Sequence, residues 1–136
     1  ACRTGHAVLY VTAQDLLKQL RAARADSSYD RRLLRFTSPD LLIIDDLGLR
    51  PLSGDEPIDL YEIIRQRYER ASTLLTSNRA VEELPALFGD ALLASAAMDR
   101  LLHGAHVLVL DGDSFRNPPA DRSRRSAPKV HKEAAR

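Results

Sequence analysis

Residues 41–44, Leu-Leu-Ile-Ile, form the most hydrophobic stretch of the chain, and two carboxylates, Asp45 and Asp46, follow them directly. A continuous apolar run without alternating polar residues is typical of a strand that is buried on both faces of a parallel sheet. Gly48 and Pro51 come next and mark a loop. The stretch therefore predicts a buried strand that ends in two acidic side chains.

Other patterns along the chain predict an alternation of strands and helices. Short apolar runs predict strands, whereas apolar residues at helical spacing, such as Leu16, Leu20 and Ala23, predict helices. The predicted strands are residues 7–11, 41–44, 72–76 and 106–110, and the predicted helices are 12–23, 28–36 and 53–71, with a helix-rich segment at 81–103 that is broken near Pro85 and Gly89. This order predicts an α/β domain with helices on both faces of its sheet.

Three polar side chains are expected at one edge of this sheet. Right-handed crossover connections bring the carboxyl ends of parallel strands to the same edge, where ligands usually bind. Asp45 and Asp46 end one predicted strand, and Asn78 follows another. The sequence therefore predicts that these three residues meet at a ligand-binding edge.

Asp45 and Asp46 fit the Walker B pattern, in which an apolar strand is followed by acidic residues. In that pattern Asp45 holds Mg²⁺, directly or through water, and Asp46 orients or deprotonates the attacking water. Loops favour aspartate for other reasons, so a buried strand ending in two aspartates also occurs without such chemistry. The pattern alone leaves both interpretations open.

Asn78 and Arg100 are two further candidate catalytic residues. An amide just beyond a neighbouring strand can reach the water between the acid and the γ-phosphate, which is the sensor-1 role; the alternative is that residues 76–79 are ordinary turn residues. Arg100 can extend from a helix end towards a neighbouring subunit's nucleotide as an arginine finger. The alternative is a helix arginine that pairs with Asp99 or faces solvent.

Several segments together resemble the IstB family of AAA+ ATPases, which assist DNA transposition, and more loosely the related DnaC-type helicase loaders. The segments that carry the resemblance are 5–17, 39–48, 51–53, 67–73, 76–78, 88–90 and 99–107. The resemblance covers residues 1–116 in unbroken order. It implies a three-layer P-loop NTPase core with a parallel sheet, and ATP and Mg²⁺ as cofactors.

The resemblance also implies roles for single residues. Asp45 and Asp46 match the Walker B pair, with Asp45 as the Mg²⁺ ligand, and together with Asn78, which matches sensor 1, they would contact the cofactor. Asp46, Asn78 and Arg100, which matches the finger, would be the catalytic residues. Many AAA+ proteins have glutamate at the position of Asp46, which is one methylene shorter. Residues 112–116 resemble the family's closing Gly-x-Ser-Tyr-Arg motif, with a sensor-2-like role for Arg116.

The phosphate-binding loop of such proteins is absent from the sequence. That loop has the pattern G-x-x-x-x-G-K-[ST], and none of the six glycines of this chain is followed by lysine. In the family the loop lies just upstream of the segment matching Ala1, after a strand that lies between those matching 72–76 and 106–110. We therefore expect residues 1–116 to be a partial AAA+ core that is truncated at its N-terminus, inactive alone and destabilised by unpaired strand edges.

The implied function is assembly of an ATPase on double-stranded DNA to recruit or regulate a transposase, with the intact protein acting as a homo-oligomer. Two alternatives remain. A DnaC-like helicase loader would use the same chemistry with another partner. A truncated remnant or adaptor would bind DNA or a protein partner without hydrolysing ATP, and the missing loop favours it.

Residues 117–136 form a predicted tail of different composition. It contains six basic and two acidic residues and three prolines, within a chain whose formal net charge is only +1. Its few large apolar residues cannot offset the entropy of ordering, so we expect disorder. A basic tail can attract nucleic-acid phosphates, although a solvated terminus has the same composition.

The sequence has no feature of a membrane or secreted protein. No apolar run approaches the roughly 20 residues that span a bilayer. The first six residues lack the pattern of a signal peptide, and the single cysteine, Cys2, provides no disulfide framework. We therefore expect a cytoplasmic protein.

Overall fold

The computed structural model describes residues 1–111, of which residues 1–105 form one compact unit. After a short 3₁₀ turn (Cys2–Thr4), its elements in chain order are β1 (Val8–Thr12), α1 (Ala13–Ala25), α2 (Tyr29–Thr37), β2 (Leu41–Leu47), α3 (Glu56–Arg67), β3 (Ser72–Ser77), a 3₁₀ helix (Val81–Phe88) and α4 (Ala91–Leu102). The predicted α/β class is confirmed, and the helix-rich segment is broken where Gly89 separates the 3₁₀ helix from α4.

The three strands form one parallel sheet with β2 in the centre. Val8 is in register with Leu41, and Leu41 with Ser72. Because each crossover returns to the neighbouring strand, both advance across the sheet in the same direction, and right-handed connections then place their helices on the same face. In agreement, α1, α2 and α3 all contact one another.

One face of the sheet carries the core, and the opposite face is only partly covered within residues 1–111. Leu42 and Ile44 of β2 are buried against the helices, together with Leu16 of α1. On the opposite face Tyr10 is 59% exposed and Leu74 is 46% exposed. The helices that we expected on both faces therefore lie on one face in the described part of the chain. An apolar run indicates that a strand can be buried on both faces of the sheet. Which elements cover each face depends on the rest of the chain.

A local signal in the sequence sets the start of α1, whereas α3 starts later than its sequence signal indicates. The Thr12 hydroxyl accepts a hydrogen bond from the backbone N–H of Asp15 at 3.2 Å, which is the predicted cap. Helix α3 starts at Glu56, whose carboxylate accepts a hydrogen bond from the backbone N–H of Ser53 at 3.0 Å. The Thr12 hydroxyl thereby satisfies an N–H group that a helix leaves without an intrahelical partner. For α3 the predicted start at Ser53 is wrong, because the helix begins three residues later and Asp55 occupies the cap position without a side-chain hydrogen bond.

Helix α3 ends earlier than predicted. Its last residue is Arg67, whereas the apolar spacing predicted an end near Ala71. Tyr68 leaves helical geometry with ψ 125°, and Glu69 has a φ of 57°. A residue in the left-handed region cannot continue a right-handed helix, so the chain turns here towards β3.

Helix α3 carries three buried charged residues, Glu56, Asp59 and Arg67. The Glu56 carboxylate accepts hydrogen bonds from both terminal nitrogens of Arg50, at 2.8 and 2.9 Å, and one from Arg21 at 2.5 Å. The hydrogen bonds from Arg50 hold the pKa of Glu56 below its usual value, although burial opposes this shift. The loop that leaves β2 is thereby joined to α1 through the first residue of α3.

Asp59, about one turn further along α3, joins this helix to α1 and α2. Its Oδ1 accepts hydrogen bonds from Arg24 of α1 at 2.6 Å and from the hydroxyl of Tyr29 of α2 at 2.7 Å. The Arg24 guanidinium also lies 4.3 Å from the centre of the Tyr29 ring. Burial, with the hydrogen bond to Asp59, raises the pKa of the Tyr29 hydroxyl. All charges of this cluster therefore have partners, as buried charges require.

Arg67 is only 2% exposed and binds the backbone where three segments meet. Its guanidinium donates to the carbonyl oxygens of Phe36 and Thr37 at 3.2 Å, Pro39 at 2.8 Å and Ser72 at 2.5 Å, and to the hydroxyl of Thr73 at 3.0 Å. Burial lowers the pKa of Arg67, but a guanidinium stays charged at neutral pH. This one side chain connects the end of α2, the approach to β2 and the start of β3.

The predicted strand at residues 106–110 is wrong. These residues have no strand geometry, and the side chains of Val107, Leu108, Val109 and Leu110 are exposed. A strand exists only where a neighbouring backbone supplies its hydrogen bonds, and apolar composition does not provide that neighbour. In the sheet that the resemblance implies, the neighbour is a further strand between this run and β3.

Two predictions fall outside the described residues. They are the tail at 117–136, with the domain boundary placed before it, and the role of Arg116 in segment 112–116. Within residues 1–111, no helix is both long and apolar enough to cross a bilayer.

Candidate functional site

Asp45 lies at the carboxyl end of β2 and is held by hydroxyl groups from both neighbouring strands. The Tyr10 hydroxyl of β1 donates to Asp45 Oδ2 at 2.6 Å, and the Thr76 hydroxyl of β3 donates to Asp45 Oδ1. The hydrogen bond from the Tyr10 hydroxyl to Asp45 is the main cause of the raised pKa of Tyr10. An ionised carboxylate only accepts hydrogen bonds, so both hydroxyl protons point at Asp45.

Asp46 follows in a strained backbone conformation. Its φ is 59°, and the register of β2 and β3 shifts between Ile44 and Leu47. A residue other than glycine in this region costs about 1–3 kcal/mol, although aspartate tolerates it better than most. The Asp46 N–H donates to the Thr76 hydroxyl oxygen at 3.0 Å, which helps to hold the bulge. The bulge leaves the Asp46 side chain exposed beside Asp45 at the sheet edge.

The loops that leave β2 and β3 are joined on either side of Asn78. The Ser77 hydroxyl donates to the carbonyl oxygen of Leu47 at 2.6 Å, and Arg79 Nε donates to the carbonyl oxygen of Gly48 at 2.5 Å. Asn78 lies between these two anchored residues and is exposed. The carboxyl edge of the sheet thus presents Asp45, Asp46 and Asn78, the three residues expected there from their positions in the sequence.

Arg100 is engaged elsewhere in the unit. Its guanidinium carbon lies 5.6 Å from the ring centre of Tyr61 and 5.9 Å from that of Tyr68, and Nη1 donates to the carbonyl oxygen of Ala96 at 3.1 Å. These contacts differ from the alternative of a pair with Asp99. They hold Arg100 against α3, and its role as a finger stays a prediction.

Three residues of the site were missed by sequence reasoning: Tyr10, Thr76 and Arg79. Only the position of Tyr10 could have been inferred from the sequence. Tyr10 is in register with Ile43, two residues before Asp45, so the period of two places Tyr10 and Asp45 on the same sheet face as diagonal neighbours. The contacts of Thr76 and Arg79 depend on the bulge and on loop geometry, which the sequence pattern does not specify.

The carboxylate oxygens at this edge fit an Mg²⁺ ion whose remaining ligands come from a bound phosphate group. Among residues 1–111, no cluster of three or more histidine, cysteine or acidic side chains could hold a metal ion alone. Mg²⁺ commonly binds through one or two carboxylates, its own waters and the phosphates of a nucleotide. Asp45 and Asp46 meet that requirement, whereas a site formed by protein alone would need more donors.

The parallel α/β arrangement is that of the AAA+ P-loop NTPases. A DNA replication initiation factor superposes with a TM-score of 0.60 at 21% identity, over 74% of this chain and 31% of that one. AMPPCP-bound DnaA from Aquifex aeolicus superposes with a TM-score of 0.56 at 20% identity, over 69% of this chain and 30% of that one. At these identities the likeness establishes the fold.

The chain belongs to the family of IstB-like ATP binding proteins, whose sequence model matches residues 1–123. An insertion sequence ATP-binding protein of Sinorhizobium fredii is 44% identical over 116 residues, which cover 85% of this chain and 47% of that protein. The ATP-binding protein of insertion sequence IS5376 from Geobacillus stearothermophilus is 38% identical, over 85% of this chain and 46% of that protein. The chain thus spans about half the length of the curated relatives that it matches.

Proposed function

We propose that this chain provides the metal- and water-binding part of the ATP site of an AAA+ ATPase that assists DNA transposition. The observation that carries the proposal is the arrangement at the carboxyl edge of the sheet. Asp45 is fixed by two hydroxyl groups, Asp46 is exposed next to it, and Asn78 is anchored on both sides. Membership of an ATP-binding family supports the choice of ligand.

Each residue has a role that its position supports. When bound, Mg²⁺ neutralises charge that develops on the transferred phosphoryl group. Asp45 binds the ion directly or through water, because a carboxylate oxygen can accept a hydroxyl and a metal contact together. Asp46 accepts a proton from water or orients it. Asn78 positions the same water through its amide. The shorter side chain of Asp46, compared with glutamate, requires that the bulge bring its backbone closer to the water.

Phosphate binding is the part of the reaction that these residues do not supply. None of the six glycines precedes a lysine, so the sequence contains no loop of the G-x-x-x-x-G-K-[ST] type. ATP hydrolysis therefore needs such a loop in addition to the edge formed here. This observation also favours the second candidate function, an adaptor that binds DNA or a protein partner without hydrolysis.

Assembly into a homo-oligomer would give Arg100 its role. In the described unit Arg100 stacks on Tyr61 and Tyr68 of the same chain. As an arginine finger it would act on the nucleotide of the neighbouring subunit, where such a residue contributes about 10³–10⁵ in rate.

Double-stranded DNA and a transposase are the partners that we propose for the whole protein. Arg31 and Arg35 are exposed one turn apart on α2, and Arg32 lies beside them. Arginines of this kind bind phosphates, and the affinity then falls steeply with salt. DNA binding that does not weaken between about 50 and 200 mM salt would contradict the proposal that this surface binds DNA.

A DnaC-like helicase loader would share the ATP chemistry and differ in partner. Pull-down of a transposase rather than a helicase separates the two.

A chimaera tests the proposed ATP site. Residues 1–116 would replace the matching segment of the Geobacillus stearothermophilus relative, which is 38% identical over that length. We expect the chimaera to bind Mg·ATP in calorimetry, and Asp45→Ala to weaken binding at least about tenfold, because a ligand of the ion is lost. The 136-residue chain alone is expected to show no binding heat.

Two results would count against the proposal. A folded chimaera that binds Mg·ATP equally well with Asp45→Ala would remove Asp45 from the site. A folded chimaera that does not bind Mg·ATP at all would favour the adaptor.

A further inference from the structure

The structure gives Asp45 a surrounding that its role as a metal ligand does not by itself require. Its two carboxylate oxygens are engaged by different hydroxyls, Tyr10 on one side and Thr76 on the other. The Thr76 oxygen also accepts the N–H of Asp46 at 3.0 Å. Since a threonine hydroxyl has one proton, the bond from Asp46 leaves that proton directed at Asp45.

These contacts fix how the carboxylate of Asp45 is turned. A carboxylate held at one oxygen can still rotate about its last side-chain bond, whereas two donors from opposite strands hold its plane. Each carboxylate oxygen can accept about two hydrogen bonds or metal contacts, so a hydroxyl on each oxygen is compatible with binding of a cation. Hydrogen bonds to a ligating group of this kind raise metal affinity by about 10–100-fold.

We infer that Tyr10 and Thr76 are positioning residues that orient Asp45 towards a divalent cation, with Thr76 also setting the position of Asp46. The inference rests on the proposed function, because it takes Asp45 as the carboxylate that binds Mg²⁺. It assigns roles to two side chains that lie on strands β1 and β3 and that never touch the ion.

The position of the two hydroxyls supports a functional rather than a stabilising role. Tyr10 is 59% exposed, so its ring contributes little to the core. Thr76 is exposed as well, and among the contacts of the described residues its hydroxyl bonds to Asp45 and Asp46. Removing either hydroxyl should therefore alter the carboxylate more than the fold.

Without nucleotide the two carboxylates supply few donors and bind a divalent cation only weakly. The test therefore follows Mn²⁺, a stand-in for Mg²⁺, by paramagnetic broadening of backbone amide signals of the 136-residue chain, which detects weak binding. In the wild type we expect broadening centred on residues 45, 46 and 78. Tyr10→Phe and Thr76→Val are expected to need about tenfold more Mn²⁺ for the same broadening. Thr76→Ser, which keeps the hydroxyl, is expected to restore the wild-type response. Tyr61→Phe removes a tyrosine hydroxyl away from Asp45 and serves as the matched control, with no change expected.

Asp45→Ala separates this inference from the proposed function. If Asp45→Ala loses the broadening while Tyr10→Phe and Thr76→Val respond as the wild type does, the positioning role is overturned and the metal ligand stands. If Asp45→Ala still responds as the wild type does, the assignment of the ligand fails and the inference fails with it. Should Thr76→Val not fold, Tyr10→Phe on the exposed face still decides the outcome.

Discussion

Replacing Arg67 with methionine is expected to lower the free energy of unfolding by about 2–4 kcal/mol, because hydrogen bonds from a charged group are worth about 1.5–3 kcal/mol each, while methionine no longer has a charge to bury. The substitution preserves much of the side-chain volume but removes five hydrogen bonds. Four of them end on backbone carbonyl oxygens, of which that of Phe36 would stay buried without this donor. Urea unfolding followed by circular dichroism measures the change.

Arg65→Met is the matched control for this prediction. Arg65 lies on the same helix, but its guanidinium is about half exposed and pairs with Glu62 on the helix surface. Exposed ion pairs contribute about 0–1 kcal/mol, so the free energy of unfolding of this variant should be close to that of the wild type. Equal effects of Arg65→Met and Arg67→Met would show that the backbone contacts of Arg67 contribute no more than a surface pair.

Gly48→Ala is expected to cost about 2–5 kcal/mol through two separate causes. The φ of Gly48 is +91°, where a residue with a Cβ is strained by about 1–2 kcal/mol. A Cβ at this position would also lie 2.9 Å from Arg79 Cδ and 3.3 Å from Leu87 Cδ1, and such overpacking costs about 1–3 kcal/mol. Arg79 cannot simply move away, because its Nε is bonded to the carbonyl oxygen of Gly48 itself.

Two comparisons separate these causes. Gly54 also has a positive φ, of +57°, but a Cβ added there would meet no atom within 4 Å, so Gly54→Ala measures backbone strain alone. In an Arg79→Ala background, the cost of Gly48→Ala should fall towards that of Gly54→Ala. A cost for Gly48→Ala that matches Gly54→Ala in the unmodified chain would exclude the steric contribution.

Much of the fold was predictable because it depends on local sequence. The runs at 7–11 and 41–44 are apolar, the run at 72–76 combines leucine with serine and threonine, and each forms a strand. The run at 106–110 is more apolar than that at 72–76 and yet forms no strand, because a strand needs a partner that its own residues do not encode. The end of α3 was placed too late for a similar reason. The helical spacing continues to Tyr68, but the backbone turns at Glu69.

For the candidate site, the sequence predicted where the residues lie in the fold better than which side chains they contact. The order of strands and the handedness of crossovers suffice to place Asp45, Asp46 and Asn78 at one edge. The hydroxyl of Thr76 reaches both aspartates only because the register shifts beside it, and a one-residue irregularity leaves no mark in apolar periodicity. The chemical roles of the three residues remain a proposal, which the chimaera tests.

The three buried charges of α3 have a mechanical consequence. Glu56, Asp59 and Arg67 each bind partners on different elements, so sliding α3 by one turn, about 5.4 Å, would separate all three from their partners at once. Every separation would strand a buried charge, which costs several kcal/mol. These contacts therefore favour a single axial position of the helix. The first turn of α3 is bonded to the loop leaving β2, whereas Tyr61 in the middle of α3 and Tyr68 just after its end contact Arg100, so this one helix links the sheet edge to Arg100.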